Sequence, residues 1–262
     1  MNQGEICKLC RCVSRLQNSH ILPEFLYRYC YDPKHRAIKF NTQEISRIIV
    51  QKGIREPLLC VKCELHLSKI EGRFKIDWYD RGRLPEQFEN EYWRLDGFDY
   101  TSFKLFHLSV LWRCSVSKDR AFDAVSLGPH EGRIAQMILN EDAGEEHDYS
   151  IICQLLVHDG AIVHSLVSPP FRLRLDGLNV YLLAYGGCEW FLHVSRHNKP
   201  EVKGLGFKKD GRLILIRQSF LESYTGRLMD AELQTPAGQD FVQAYKKLRK
   251  KYERLVSENR NR

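Results

Sequence analysis

Two Cys-x-x-Cys pairs, Cys7/Cys10 in CKLC and Cys60/Cys63 in CVKC, are separated by 49 residues. Such a turn sets two thiolates on one side of a metal ion, and zinc takes four sulfur or nitrogen ligands in a tetrahedron. A chain that joins both turns on one ion must close the whole intervening segment into a loop, which removes much of the unfolded chain's freedom. We therefore expect Cys7, Cys10, Cys60 and Cys63 to form a structural Zn²⁺ site. It would staple a module over residues 1–76 that is small for an unaided core. The other five of the nine cysteines, Cys12, Cys30, Cys114, Cys153 and Cys188, lack paired spacing and read as small buried apolar residues. An odd cysteine count disfavours a disulfide scaffold and points to a reducing compartment. A redox dithiol is disfavoured because no βαβ pattern surrounds either pair. A zinc deaminase requires His-x-Glu ahead of Pro-Cys-x-x-Cys, whereas HILPE is wrongly spaced and Pro57 stands apart from Cys60.

The remainder, residues 77–262, reads as an α+β domain. Residues 77–100 are charged and aromatic and read as a connector with some local helix. TSFKLFHLSVLWRCSVS, 101–117, reads as a buried helix capped by Thr101 or Ser102, with Phe103, Phe106, Val110 and Cys114 on one stripe. A second helix is expected over about 130–140. From about 149 to 216 short apolar runs alternate with HDG, SPP, DG and GG, the pattern of an antiparallel sheet with hairpin turns. The histidines there, His158, His164, His193 and His197, read as polar positions on half-exposed strands. A long amphipathic helix is expected over about 237–259, with Phe241, Tyr245, Leu248, Tyr252 and Leu255 along one seam. That seam would meet the body or, in a homodimer, a second copy.

Around the cysteines the residues carry a resemblance. SHILPEF after the first pair, and LLCVKCE opening a helix at the second, resemble the HNH endonucleases of the ββα-metal, or His-Me finger, superfamily. More narrowly they resemble a divergent prokaryotic HNH-like group associated with defence against foreign DNA. The resemblance covers roughly residues 5–75. It implies a zinc-stapled ββα module that hydrolyses nucleic-acid phosphodiester bonds, DNA before RNA, with a separate regulatory protein as a further candidate partner. It makes His20 the general base, and an imidazole titrating near neutrality suits that task. It also implies a catalytic Mg²⁺ or Mn²⁺. Glu64 stands where the family has a metal-binding histidine, and Glu71 follows two helical turns later on the same face. Two positions depart from the family: Ser19 precedes the base in place of Asp or His, and the Asn expected before the second cysteine pair is missing. Asn18, Glu24 and Glu56 are the residues placed to substitute.

The net charge of +7 is uneven. Residues 240–262 hold eight Lys or Arg against three Asp or Glu, so +5 of the excess lies on the terminal helix. Lys246, Lys247, Arg249 and Lys250 are candidate phosphate contacts there, and Arg73 and Lys75 are candidates just past the zinc helix. A solvated charged face is the competing reading of the tail. The start of the sequence has no basic-then-apolar leader and no run of 18 apolar residues occurs, so a cytoplasmic protein without membrane contact is expected. The alternative to the enzyme is a non-catalytic zinc module that binds nucleic acid or a protein.

Overall fold

The computed structural model describes residues 4–40, 49–175, 177–196 and 204–247. A hairpin of β1 (Glu5–Ile6) and β2 (Val13–Ser14) brackets the first cysteine pair. Within it the Cys7 amide donates to the Cys12 carbonyl and the Arg11 amide to the Cys7 carbonyl, with Arg11 at φ 64°. β3 (Leu16–His20) leads through Pro23 into a 3-10 turn, Glu24–Tyr27, and then to two short strands, β4 (Ala37–Ile38) and β5 (Ile49–Val50). β6 (Arg55–Cys60) returns antiparallel to β3, placing His20 opposite Arg55 and Leu16 opposite Cys60. α1 (Val61–Phe74) starts directly from β6, so β3, β6 and α1 form a ββα unit. Cys63, Leu67, Ile70 and Phe74 repeat at helical spacing along its buried side. A π-helical turn, Lys75–Asp80, extends it and buries Trp78 and Tyr79.

α2 (Tyr100–Val116) is the central element. Every residue from Ser102 to Cys114 is buried, so it has no solvent stripe and packs on all sides. Its N-cap is Asp99, whose carboxylate accepts from the Ser102 amide, two or three residues earlier than the Thr101 or Ser102 cap expected from sequence. Phe74 of α1 stacks on Phe106 of α2 with ring centroids 3.7 Å apart. On another side His107, fully buried, meets Trp190 and shares a 2.5 Å hydrogen bond between Nδ1 and the Tyr185 hydroxyl. Burial holds its pKa well below the ordinary histidine value, so the imidazole stays neutral. Lys104 is buried too. It donates to the Tyr100 hydroxyl and the Glu145 carbonyl, and desolvation pulls its pKa down to about 8. α3 (Pro129–Leu139) begins with proline at its first turn, where the missing N–H costs nothing, and packs Ile134 and Ile138 inward.

A seven-stranded sheet covers the far side of α2. It comprises β7 (Tyr92–Leu95), β8 (Ile151–His158), β9 (Ala161–Ile162), β10 (Phe171–Leu175), β11 (Leu178–Tyr185), β12 (Cys188–His193) and β13 (Leu213–Ser219). The order is β10-β11-β12-β8-β13-β7, with β9 on β8. This corrects the purely antiparallel sheet expected from the turn signals, because β13 lies parallel to β8. β12 and β13 flank β8 on opposite sides, where a tight turn would have paired them with each other. It also corrects the connector, since β7 comes from residues 77–100 and closes the sheet beside β13. Alternation along β11 sends Tyr181, Leu183 and Tyr185 toward α2. Val180 and Leu182 go to the opposite face, into a smaller core that includes Phe191 and Tyr224 of α4 (Tyr224–Leu233).

The chain ends its described part in a helical segment over 236–247. There Phe241 is buried edge-on against Phe40 at 4.9 Å, so the start of the expected seam faces the body, while Tyr245 is exposed. Leu248, Tyr252 and Leu255, with Arg249 and Lys250, lie outside the described residues. Among the described residues, no helix is long and apolar enough to cross a membrane.

The Phe74–Phe106 stack joins the ββα unit to α2. Phe74→Ala should lower unfolding free energy in urea by about 3–5 kcal/mol, the cost of emptying a packed aromatic site. A loss below about 1 kcal/mol would show that the unit is held in place by other contacts.

Candidate metal centre and histidine site

The four paired cysteines converge. The Sγ atoms of Cys7, Cys10, Cys60 and Cys63 lie within 4.8 Å of one another, and among the described residues no other group of three or more His, Cys, Asp or Glu gathers in this way. A tetrahedron with Zn–S bonds of about 2.3 Å has edges of about 3.8 Å, and Cys10 Sγ lies 3.7 Å from Cys60 Sγ. The donor set and its spacing therefore fit zinc. Burial opposes ionisation of Cys7, but the backbone N–H groups of Cys60, Cys10 and Leu9 outweigh it and draw its pKa down to about 7. The Cys60 amide sits 3.3 Å from Cys7 Sγ. Cys63 is pushed up, by burial first and then by the neighbouring thiols. Cys7 therefore ionises readily and Cys63 does not, and a divalent cation would supply the charge that favours its thiolate. Cys12 is exposed outside the cluster, and Cys30 is half-buried with its thiol pushed up to about 11 by desolvation.

The same closure fixes the end of β3. Successive strand residues leave on opposite faces, and Ser19 and His20 do so. Ser19 is only 1% exposed, and its hydroxyl donates to Glu64 Oε2 at 2.6 Å beneath α1. His20 turns to the other side, where its Nε2 lies 2.9 Å from Glu24 Oε2. Pro23 makes this possible, because its extended ψ turns the chain into the 3-10 turn and brings Glu24 back beneath the imidazole. Glu24 gathers several further donors. Its Oε1 accepts from the Tyr31 hydroxyl at 2.6 Å, the Gly53 amide reaches Oε2 at 3.4 Å, Arg55 lies 4.0 Å away, and His35 Nε2 approaches Oε1 at 3.6 Å. Burial alone would raise the Glu24 pKa. The bonds from Tyr31, Gly53 and His20 win, and the carboxyl is held below its ordinary value as an anion.

His20 is drawn below the ordinary histidine value, by desolvation first and by the Arg55 guanidinium second, with Glu24 and Glu71 pulling the other way. The imidazole is thus neutral at pH 7, with Nε2 engaged by a carboxylate and Nδ1 left as the remaining ring nitrogen. Arg113 supports it from α2. This buried guanidinium pairs with Glu71 at 2.7 Å and donates to the His20 carbonyl at 3.1 Å.

Several sequence candidates are placed elsewhere. Glu71 is engaged by Arg113 and Glu64 by Ser19, so the two carboxylates serve different partners. Glu56 accepts from the Lys118 amide, and Asn18 is exposed on β3. Of the three residues proposed as substitutes, Glu24 is the one in contact with His20. Arg73 reaches Ser102 and Asp99 at the start of α2, about 16 Å along the helix from Arg113. Lys75 pairs with Asp80. Their places near His20 are taken by Arg55 and Arg113, which the sequence reading missed, together with Tyr31 and His35. Local spacing carried a signal for Glu24 alone, through the proline before it. The others arrive from a turn, a second strand and a distant helix. In the sheet region His193 is buried on β12, where a half-exposed polar strand position was expected, and Glu189, fully buried on the same strand, accepts from the Thr225 amide. No known protein family, curated protein or solved structure matches this chain.

Metal analysis of the purified chain should find one zinc per molecule. Cys60→Ser should abolish that stoichiometry and lower the melting temperature, as should a strong chelator. Cys12→Ser should change stability by no more than about 0.5 kcal/mol and leave the zinc count intact. Retention of one zinc by Cys60→Ser would show that the ion sits elsewhere.

Proposed function

We propose that this chain hydrolyses nucleic-acid phosphodiester bonds, DNA in preference to RNA, as a divergent HNH-like endonuclease. The observation that supports this most is the His20–Glu24 pair at the rim of a ββα unit closed by four cysteines. A neutral imidazole whose far nitrogen is oriented by an ionised carboxylate can take a proton from water through its near nitrogen. In this reading His20 Nδ1 accepts the proton of the attacking water. Glu24 holds the tautomer and steadies the imidazolium that forms, and Tyr31 and Gly53 keep Glu24 ionised. Arg55, standing opposite His20 across β3 and β6, places positive charge where an anionic phosphate would approach. Zn²⁺ is structural here and takes no part in the step.

The resemblance assigns a catalytic Mg²⁺ or Mn²⁺ to Glu64, and such an ion would stabilise negative charge on the phosphate. Glu64 and Ser19 lie on the face of β3 away from His20 and are bonded to each other, so they do not fit a cation shared with the His20 site, and no step of the reaction passes through one. Lys246 and Lys247 lie on the terminal helix as candidate backbone contacts. Defence against foreign DNA is the setting the resemblance implies.

The competing reading is a zinc module that binds nucleic acid or a protein without cutting. It is favoured by one observation: the Ser19–Glu64 bond already satisfies the carboxylate that would bind the cation. Plasmid cleavage with Mg²⁺ or Mn²⁺ separates the two. His20→Ala should reduce the rate by about 10²- to 10⁴-fold while the zinc content and the melting curve stay as in the parent. Binding without cleavage across both cations and a broad pH range would establish the non-catalytic module.

The acid limb of the rate should follow the neutral fraction of His20. Because its pKa is lowered, this acid limb should lie below the ordinary histidine value of about 6.5. Glu24→Gln removes a charge that raises the His20 pKa. The midpoint should therefore move further down while the plateau rate falls, and a midpoint that moves up would contradict the assigned pairing.

A further inference from the structure

A second imidazole faces the same carboxylate. His35 occupies a turn in which Asp32 Oδ1 accepts from the amides of Lys34 and Arg36, and Asp32 Oδ2 receives the Arg36 guanidinium at 2.7 Å. The Asp32 amide donates to the Arg36 carbonyl and the His35 amide to the Asp32 carbonyl. Closing the turn so tightly leaves His35 at φ 55°, a left-handed conformation that a non-glycine residue adopts only where its surroundings impose it. The outcome is a specific ring position. The imidazole stacks on Tyr31 with centroids 3.9 Å apart, and its Nε2 stands 3.6 Å from Glu24 Oε1. Glu24 thus lies between two histidines, His20 on one oxygen and His35 on the other. The ring of His35 is 64% exposed while that of His20 is 23% exposed, so His35 is the one that meets solvent more freely.

The two rings differ in setting. His20 is half-buried and faces Arg55 across the paired strands, with its Nε2 on Glu24 Oε2. His35 stands on the other oxygen of the same carboxylate, open to solvent, and is the second imidazole of the site. Phosphodiester hydrolysis needs both kinds of group, because the attacking water must lose a proton and the departing alkoxide must gain one. Neither Glu71 nor a second residue beside Glu64 is free to help a cation hold the leaving oxygen. Glu71 is committed to Arg113, and Ser19 is the hydroxyl already on Glu64.

We propose that His35 is the general acid of this site, protonating the leaving oxygen while His20 deprotonates the water. This inference rests on the phosphodiesterase reading and deepens it. As the water oxygen bonds to phosphorus, its proton passes to His20 and the bond to the leaving oxygen breaks. That oxygen takes the proton of the His35 imidazolium. The free enzyme returns when His20 releases its proton to solvent and His35 takes one up. No electron changes hands and no further reactant is consumed.

The test compares two leaving groups. DNA departs as an alkoxide and needs the acid, whereas a nitrophenyl phosphodiester departs as a stable phenolate and does not. His35→Gln keeps a polar side chain on an exposed turn. It should lose about 100-fold or more on DNA and far less on the nitrophenyl ester, so that the ratio of the two rates falls by at least about tenfold. His20→Ala should lose on both substrates alike. Equal loss on both substrates in His35→Gln, or loss on neither, would overturn the role of His35 while leaving the nuclease reading intact. Absence of cleavage of either substrate by the parent protein would overturn the nuclease reading, and the role of His35 with it. Zinc content and the melting curve of His35→Gln, unchanged from the parent, show that the comparison is made on a folded chain.

Discussion

The convergence of four sulfurs from two distant turns is the constraint on which the rest depends. Cys60 ends β6 and Cys63 lies in the first turn of α1, so a closed cluster fixes the strand, the helix and their junction together. The first pair sits inside the β1–β2 hairpin, and β3 leaves that hairpin almost at once. The cluster therefore sets the register at which β3 meets β6. His20 then falls opposite Arg55 and Ser19 falls beneath Glu64. A unit of this size buries little apolar surface by itself, and cross-linking distant residues is the usual remedy.

Beyond the cluster, the unit is stabilised by burial against α2. Phe74 and Trp78 extend the aromatic packing from α1 into the body, meeting Phe103, Phe106 and Trp190. The core is continuous from the cysteines through α2 to β11, β12 and β13. This continuity has a polar counterpart. Arg113 sits in α2 yet holds Glu71 of α1 and the main chain of His20. Breaking such a buried pair on one side leaves a charge uncompensated, so the ββα unit and the helix behind it are coupled electrostatically as well as by packing. The larger part of the chain thereby contributes to the histidine site from behind, through Arg113.

The charges at the site are arranged by sign and by depth. Glu24 is kept ionised by hydroxyl and amide donors and by imidazole. His20 is kept neutral by partial burial and by Arg55. A neutral imidazole beside a fixed anion has its tautomer set by that pairing, with the proton on the nitrogen that faces the carboxylate. On the other face of β3, Ser19 and Glu64 make a compact polar contact that keeps the carboxylate satisfied under α1.

How much of this was legible depended on the range of the interaction. The cysteine pairs, the helix starting at the second pair, its inward stripe of Cys63, Leu67, Ile70 and Phe74, and the hairpin turns at Gly177 and at Gly186–Gly187 are local patterns. Each is a matter of spacing along the chain, so the sequence by itself determined them. It also singled out His20 through its place after the first pair. Only the tertiary structure decided what surrounds His20. Pro23 brings Glu24 back under the ring, a strained turn delivers His35, β6 delivers Arg55, and α2 delivers Arg113 from 93 residues away. It also decided that β13 runs parallel to β8 and that β7 joins the sheet. These outcomes follow from which buried faces meet when separate elements pack. Residue periodicity records that a face is apolar but not which other face covers it.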